Sequence, residues 1–169
     1  LARGIAAAVG AAAILTGCAG EPRDDATRYS FEQEAGRLHV LVDGRPLTTL
    51  YYGAEWDKPF LYPIRTVSGT EISRGYPLQE RDGEHTDHPW HRGIWYGHGD
   101  VNGEDFWREK GADVTSRLVA VAAPVFSASE AGAAMDITLN MVNPKDVSVG
   151  AVRQSFRLSI AGQDVLIDA

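Results

Sequence analysis

Cysteine is almost absent from this chain: Cys18 stands alone, so no disulfide can form within it. Basic clusters are missing too, and 23 acidic residues against 16 basic ones give a formal charge of −7. Phosphate binding needs a basic patch, so nucleic acid is excluded as a partner, and anionic lipid finds little to attract it. Beyond residue 17 no apolar run could span a bilayer core of roughly 30 Å. Capped segments of helical periodicity are also lacking. What is present is a globular composition, 44% hydrophobic and 23% charged over 169 residues, enough for one domain or part of a larger one.

The lone cysteine has a place. Arg3 precedes a small apolar run, Ile5 to Leu15, and Leu15-Thr16-Gly17-Cys18 follows. This resembles the bacterial lipoprotein signal, in which small residues precede a lipid-modified cysteine. Residues 1–17 are therefore expected to be a signal peptide, Cys18 the lipidation site and residues 18–28 a polar tether. The folded part would be extracytoplasmic, on the outer-membrane or periplasmic side of the envelope, and held to the membrane by its lipid alone.

From residue 29 the pattern has period two. Tyr29 to Glu34, Arg37 to Val42 and Leu47 to Tyr52 read as three strands in meander order, with Ala35-Gly36 and Asp43-Gly44 as turns. Glu55 to Thr66 holds two prolines and should form an edge or a loop. Glu71 to Tyr76 reads as a short strand, as does Arg92 to Gly99. Val114 to Phe126 is apolar and broken by Pro124, and Ala134 to Val142, Ala151 to Ile160 and Asp164 to Asp168 alternate again. Residues 29–169 are thus expected to form an all-β domain, an antiparallel β-sandwich. The last strand ends without a terminal signal, so further strands are expected beyond Ala169.

The chemistry concentrates in His85 to Trp107, where His85, His88, His91 and His98 fall within fourteen residues. Several histidines on a β scaffold can bind Zn, Cu or Mn, and His85, His88 and His91 are the candidate ligands, although the spacing matches no named metal motif. Asp87 beside His88 can instead make an acid/base pair with His91 nearby. If Arg92 to Gly99 is a strand, His91, Gly93, Trp95 and Gly97 share one face and His98 takes the other. Two glycines beside Trp95 would leave an open shelf on which a sugar ring stacks. Arg74, Arg92 and Asp105 are candidate contacts to substrate hydroxyls. Trp107 reads as core, and Trp90 is equally compatible with core.

Lys58 to Pro77 (KPFLYPIRTVSGTEISRGYP) and Asp87 to Trp107 (DHPWHRGIWYGHGDVNGEDFW) together resemble the bacterial PmoA-like family, catalogued as "methane oxygenase PmoA". Members of that family are longer chains, similar to exported sugar-processing proteins. This chain carries Trp90 where members have a second histidine beside His91. The catalogue name implies a metal-dependent oxidase, but the methane enzyme's namesake is embedded in the membrane and nothing after the signal here could follow it. The resemblance instead implies a sandwich akin to the mutarotase supersandwich. The expected function is an enzyme acting on carbohydrate or a glycoside, with a small-molecule or oligosaccharide substrate; the alternative is a non-catalytic carbohydrate-binding lipoprotein.

Overall fold

The computed structural model describes residues 28–109 and 115–169. The signal, Cys18 and all but the last residue of the tether lie outside the described residues, as does Val114. The described residues form ten strands: β1 (Tyr29–Glu34), β2 (Arg37–Val42), β3 (Arg45–Tyr51), β4 (Phe60–Leu61), β5 (Ile94–Trp95), β6 (Arg117–Ala120), β7 (Val125–Ser129), β8 (Gly132–Val142), β9 (Ser148–Ala161) and β10 (Asp164–Asp168). No helix occurs among them. The first five make one antiparallel sheet in sequence order; in the second, β10, β9 and β8 lie side by side, and β6 and β7 both pair with β8.

Local chemistry explains the meander. Asp43 and Gly44 both hold positive φ, 50° and 73°, which suits the tight turn between β2 and β3. Arg28 reaches across to Asp43 at 2.6 Å and closes that end of the sheet. The period-two pattern of β8 sends Ala133, Met135, Ile137, Leu139 and Met141 inward.

Two apolar clusters join the layers. Leu38, Val40, Leu50 and Leu61 of the first sheet meet Met135, Phe156 and Leu158 of the second. The other cluster seats Phe106 among Leu118, Ile137, Leu139 and Met141. Phe106 is fully buried, so it pins the loop before β6 to the second sheet and fixes where Trp107 emerges. The architecture is the expected all-β sandwich.

Three elements differ from expectation. Phe60–Leu61 is an interior strand, paired with β3 on one side and β5 on the other. Its prolines, Pro59 and Pro63, fall just outside the paired residues and so remove no ladder hydrogen bond. Glu71 makes only an isolated bridge to Arg65, not a strand. Arg92 to Gly99 shrinks to Ile94–Trp95 because Gly93 takes φ +59°, which ends extended geometry. A Cβ at Gly93 would lie 2.0 Å from the Leu61 carbonyl oxygen, so only glycine permits this approach.

Candidate functional site

Residues 88–91 form a turn in which the His91 amide donates to the His88 carbonyl at 3.0 Å. Pro89 occupies the second position, where its fixed φ belongs. His88 itself holds φ +48°, a left-handed conformation uncommon for a residue of this type and characteristic of constrained sites. Arg74 stabilises it. One of its nitrogens donates to the His88 carbonyl at 3.0 Å and the other to Asp87 Oδ1 at 3.0 Å. The backbone after Arg74 is clamped in turn, because the Glu84 carboxylate accepts from the amides of Gly75 and Tyr76 at 2.8 and 3.1 Å.

Asp87 Oδ2 lies 2.8 Å from His88 Nδ1. The hydrogen bond from His88, helped by Arg74, holds the Asp87 carboxyl below its usual range. An ionised carboxylate can only accept, so Nδ1 carries the proton and Nε2 of a neutral ring offers its lone pair. That is the arrangement of an oriented general base. The sequence pairing of Asp87 with His88 therefore corresponds to a real contact.

The His88 ring stacks on His91, centroids 4.9 Å apart and planes 23° apart. His91 then leans on Trp95 at 5.4 Å and meets the edges of Trp90 and Trp107 at 6.0 Å each. Trp95 and Trp107 contact each other at 5.1 Å. One continuous aromatic cluster thus runs from His88 to Trp107, which remains 42% exposed. Next to it, Ile64, Ile72, Arg74, His91 and Gly93 line a recess of about 400 Å³, within the size range of ligand sites.

His91 Nε2 is buried without a hydrogen-bond partner among the described residues. Burial, with the charges of His88 and Arg74 adding to it, pushes the ring's pKa below the ordinary 6.5. The unfolded chain therefore holds this proton more readily, and the contribution of His91 to stability rises with pH through the window below 6.5. Acidification into that window is expected to destabilise the fold, and His91→Gln to flatten the dependence. Thermal unfolding of both chains across that window checks this; identical slopes would refute it.

Beneath the aromatic cluster lies a buried charge network. Lys58 is 2% exposed, and its Nζ sits 5.3 Å from the Trp95 ring centroid. It donates to the Trp107 carbonyl at 3.2 Å and to Glu109 Oε1 at 3.4 Å. Burial pushes the Lys58 pKa down, and the Glu109 carboxylate opposes that. Glu109 also accepts two hydrogen bonds from Arg92, at 2.9 and 2.7 Å.

Other candidates stand elsewhere. Both terminal nitrogens of the Arg92 guanidinium are engaged by Glu109, so that end of the fork braces the site, and Nε is left without a partner among the described residues. Asp105 caps its own turn, accepting from the amides of Trp107 and Arg108 at 2.7 and 3.2 Å. His98 takes no part in the stack; its Nδ1 accepts from the Asp100 amide at 3.3 Å. The open shelf beside Trp95 is filled by the indole itself, since a Cβ at Gly97 would lie 2.1 Å from it. Trp107, expected in the core, is a wall of the site. Lys58 and Glu109 carry no signal in the sequence, because a single lysine and a glutamate fifty-one positions apart leave no pattern.

The donor geometry among the described residues gives the metal expectation no support. Among the described residues no group of three or more His, Cys, Asp or Glu side chains could hold an ion, so His85, His88 and His91 do not make a three-ligand set. The lone pairs of an imidazole lie in its plane, and near-parallel stacked rings cannot both aim at one ion at about 2.0–2.1 Å. His88 Nδ1 is also taken by Asp87.

A family model described as "Family of unknown function (DUF6807)" matches residues 37–160, which include the whole of this site. No curated protein and no solved structure matches the chain.

Proposed function

Because the chain belongs to the DUF6807 family, a family of unknown function, the site itself has to carry the reading, and we propose an enzyme that acts on carbohydrate or a glycoside by proton transfer. His88 takes or gives the proton at a sugar hydroxyl or glycosidic oxygen, with Asp87 setting its tautomer and Arg74 holding both. His91, kept neutral by burial, backs the His88 ring. Trp107 and Trp95 supply a π surface for the C–H face of a sugar ring. The Leu15–Cys18 signal would place the protein outside the cytoplasm on a lipid anchor.

The observation that carries this reading is the Asp87–His88 pair at 2.8 Å, held in strained backbone beside a half-open aromatic wall. Strain and oriented acid/base pairs gather at functional sites. The exposed Trp107 ring would equally serve a non-catalytic saccharide-binding protein. The two readings separate on one experiment: neutral oligosaccharides and aryl glycosides are incubated with the protein, and cleavage or anomeric exchange is followed by NMR. Turnover that disappears in His88→Ala supports the enzyme. Saccharide binding that survives His88→Ala and His91→Ala, with no turnover in the parent protein, favours the binding module.

A further inference from the structure

Trp90, whose ring meets His88 at 5.6 Å and His91 at 6.0 Å, also lines a second recess of about 340 Å³, together with Glu55, Trp56, Asp57, Arg92 and Glu109. Three of these residues carry a buried donor without a partner among the described residues: Trp56 Nε1, Trp90 Nε1 and Arg92 Nε. Indole and guanidinium N–H groups can only donate, and buried donors without a partner are rare in folded proteins. Three around one recess mark a place that asks for acceptors. The carboxylates already there do not provide them. Glu109 is occupied by Arg92 and Lys58, and Asp57 Oδ2 accepts from the Thr115 hydroxyl at 2.8 Å.

We propose that this recess is a second saccharide subsite taking a neutral, hydroxyl-rich sugar unit, an inference that rests on the carbohydrate reading of the His88 site. The sign of charge selects the ligand class. The lining carries three carboxylates and one guanidinium, with Lys58 behind Glu109, a balance that stays negative and disfavours an anion although the donors want acceptors. Sugar hydroxyls answer both demands: they accept from these N–H groups once side-chain turns expose them, and they donate to Glu55, whose carboxylate makes no hydrogen bond among the described residues. Entry turns the Trp90 indole so that Nε1 reaches a hydroxyl and its face meets ring C–H groups, while the Arg92 guanidinium already covers Trp56 at 5.1 Å. Trp90 is shared with the histidine stack, so the subsite adjoins the reacting group and binds the neighbouring unit of an oligosaccharide.

The test titrates the whole protein with neutral gluco-, xylo- and manno-oligosaccharides of increasing length and with oligogalacturonides, reading tryptophan fluorescence and turnover. A neutral disaccharide should bind roughly tenfold or more tighter than its monosaccharide. Glu55→Gln, at an exposed position, and Trp90→Phe, which keeps a ring but removes the N–H, should each shrink that ratio by about 3–10-fold. His88→Ala should abolish turnover and leave the ratio intact. Affinity independent of length, a ratio unmoved by both variants, or oligogalacturonides outranking the neutral series would overturn the subsite. If turnover dependent on His88 persists in any of those cases, the catalytic reading stands and the subsite alone falls. Neither binding nor turnover with any saccharide removes both.

Discussion

Replacing His88 by alanine is expected to lower kcat/KM on the responsive saccharide by roughly 10²–10⁴-fold, the range carried by a positioned acid/base. His88 is about half exposed and lies in no core cluster, so its removal should leave the melting temperature nearly unchanged. The left-handed φ of +48° complicates the choice of variant. His88→Asn is the better companion, because asparagine tolerates that conformation and cannot transfer a proton in the same way. Both variants should lose the same activity with the fold intact. Asp87→Asn should produce a smaller fall: the ring stays, but the acceptor that fixes Nδ1–H becomes an amide able to turn either way. Arg74→Ala should act on His88 indirectly, through the carbonyl and carboxylate it holds. Turnover within about twofold of the parent in both His88 variants would remove His88 from any acid/base role.

The strands on either side of the site were legible because alternation over six or more residues needs only local information. The Asp43-Gly44 turn and β8 with its inward Met135, Ile137 and Leu139 read directly from the chain. The contact of Asp87 with His88 was legible for the same reason, since the two are adjacent. The site's walls were not. Trp107 follows Phe106, and nothing local says which of two neighbouring aromatics is buried; Phe106 takes the core position among Leu118 and Leu139, and Trp107 is left facing the histidines. Nor was β4 legible, because a two-residue strand has no period. Alternation along an extended strand puts His91 and Trp95 on one face, and they do meet at 5.4 Å, yet the strand is broken at Gly93. A turn through residues 88–91, not pleating, delivers His91 to Trp95.

The same limit applies to the charges beneath the site, where the largest effect on stability is expected. Glu109 is, among the described residues, the one carboxylate hydrogen-bonded to both Lys58 and Arg92, whose side chains are only 2% and 15% exposed. Glu109→Gln preserves shape and removes the negative charge, which leaves two enclosed cations facing an amide. Breaking a buried pair by neutralising one partner typically costs about 3–5 kcal/mol, equivalent here to a melting temperature lower by roughly 10–15 °C. The pH dependence gives this prediction its sign. Burial already holds the Lys58 pKa below its ordinary 10.5, and Glu109 is the main opposing influence. Without that carboxylate the folded state binds the Lys58 proton still less readily than the unfolded chain does. Stability of the variant should therefore rise with pH through the window below 10.5, as the proton that folding disfavours is given up. Lys58→Met in the Glu109→Gln background should recover part of the loss, because an uncharged side chain of similar length removes one of the stranded cations; Arg92, always charged, keeps the remainder. Thermal unfolding of the two single variants and the double variant at neutral and alkaline pH checks all three statements. Additive losses with no pH dependence would mean that Lys58 finds water on the loss of Glu109, and that the network does not hold the wall formed by Trp95 and Trp107.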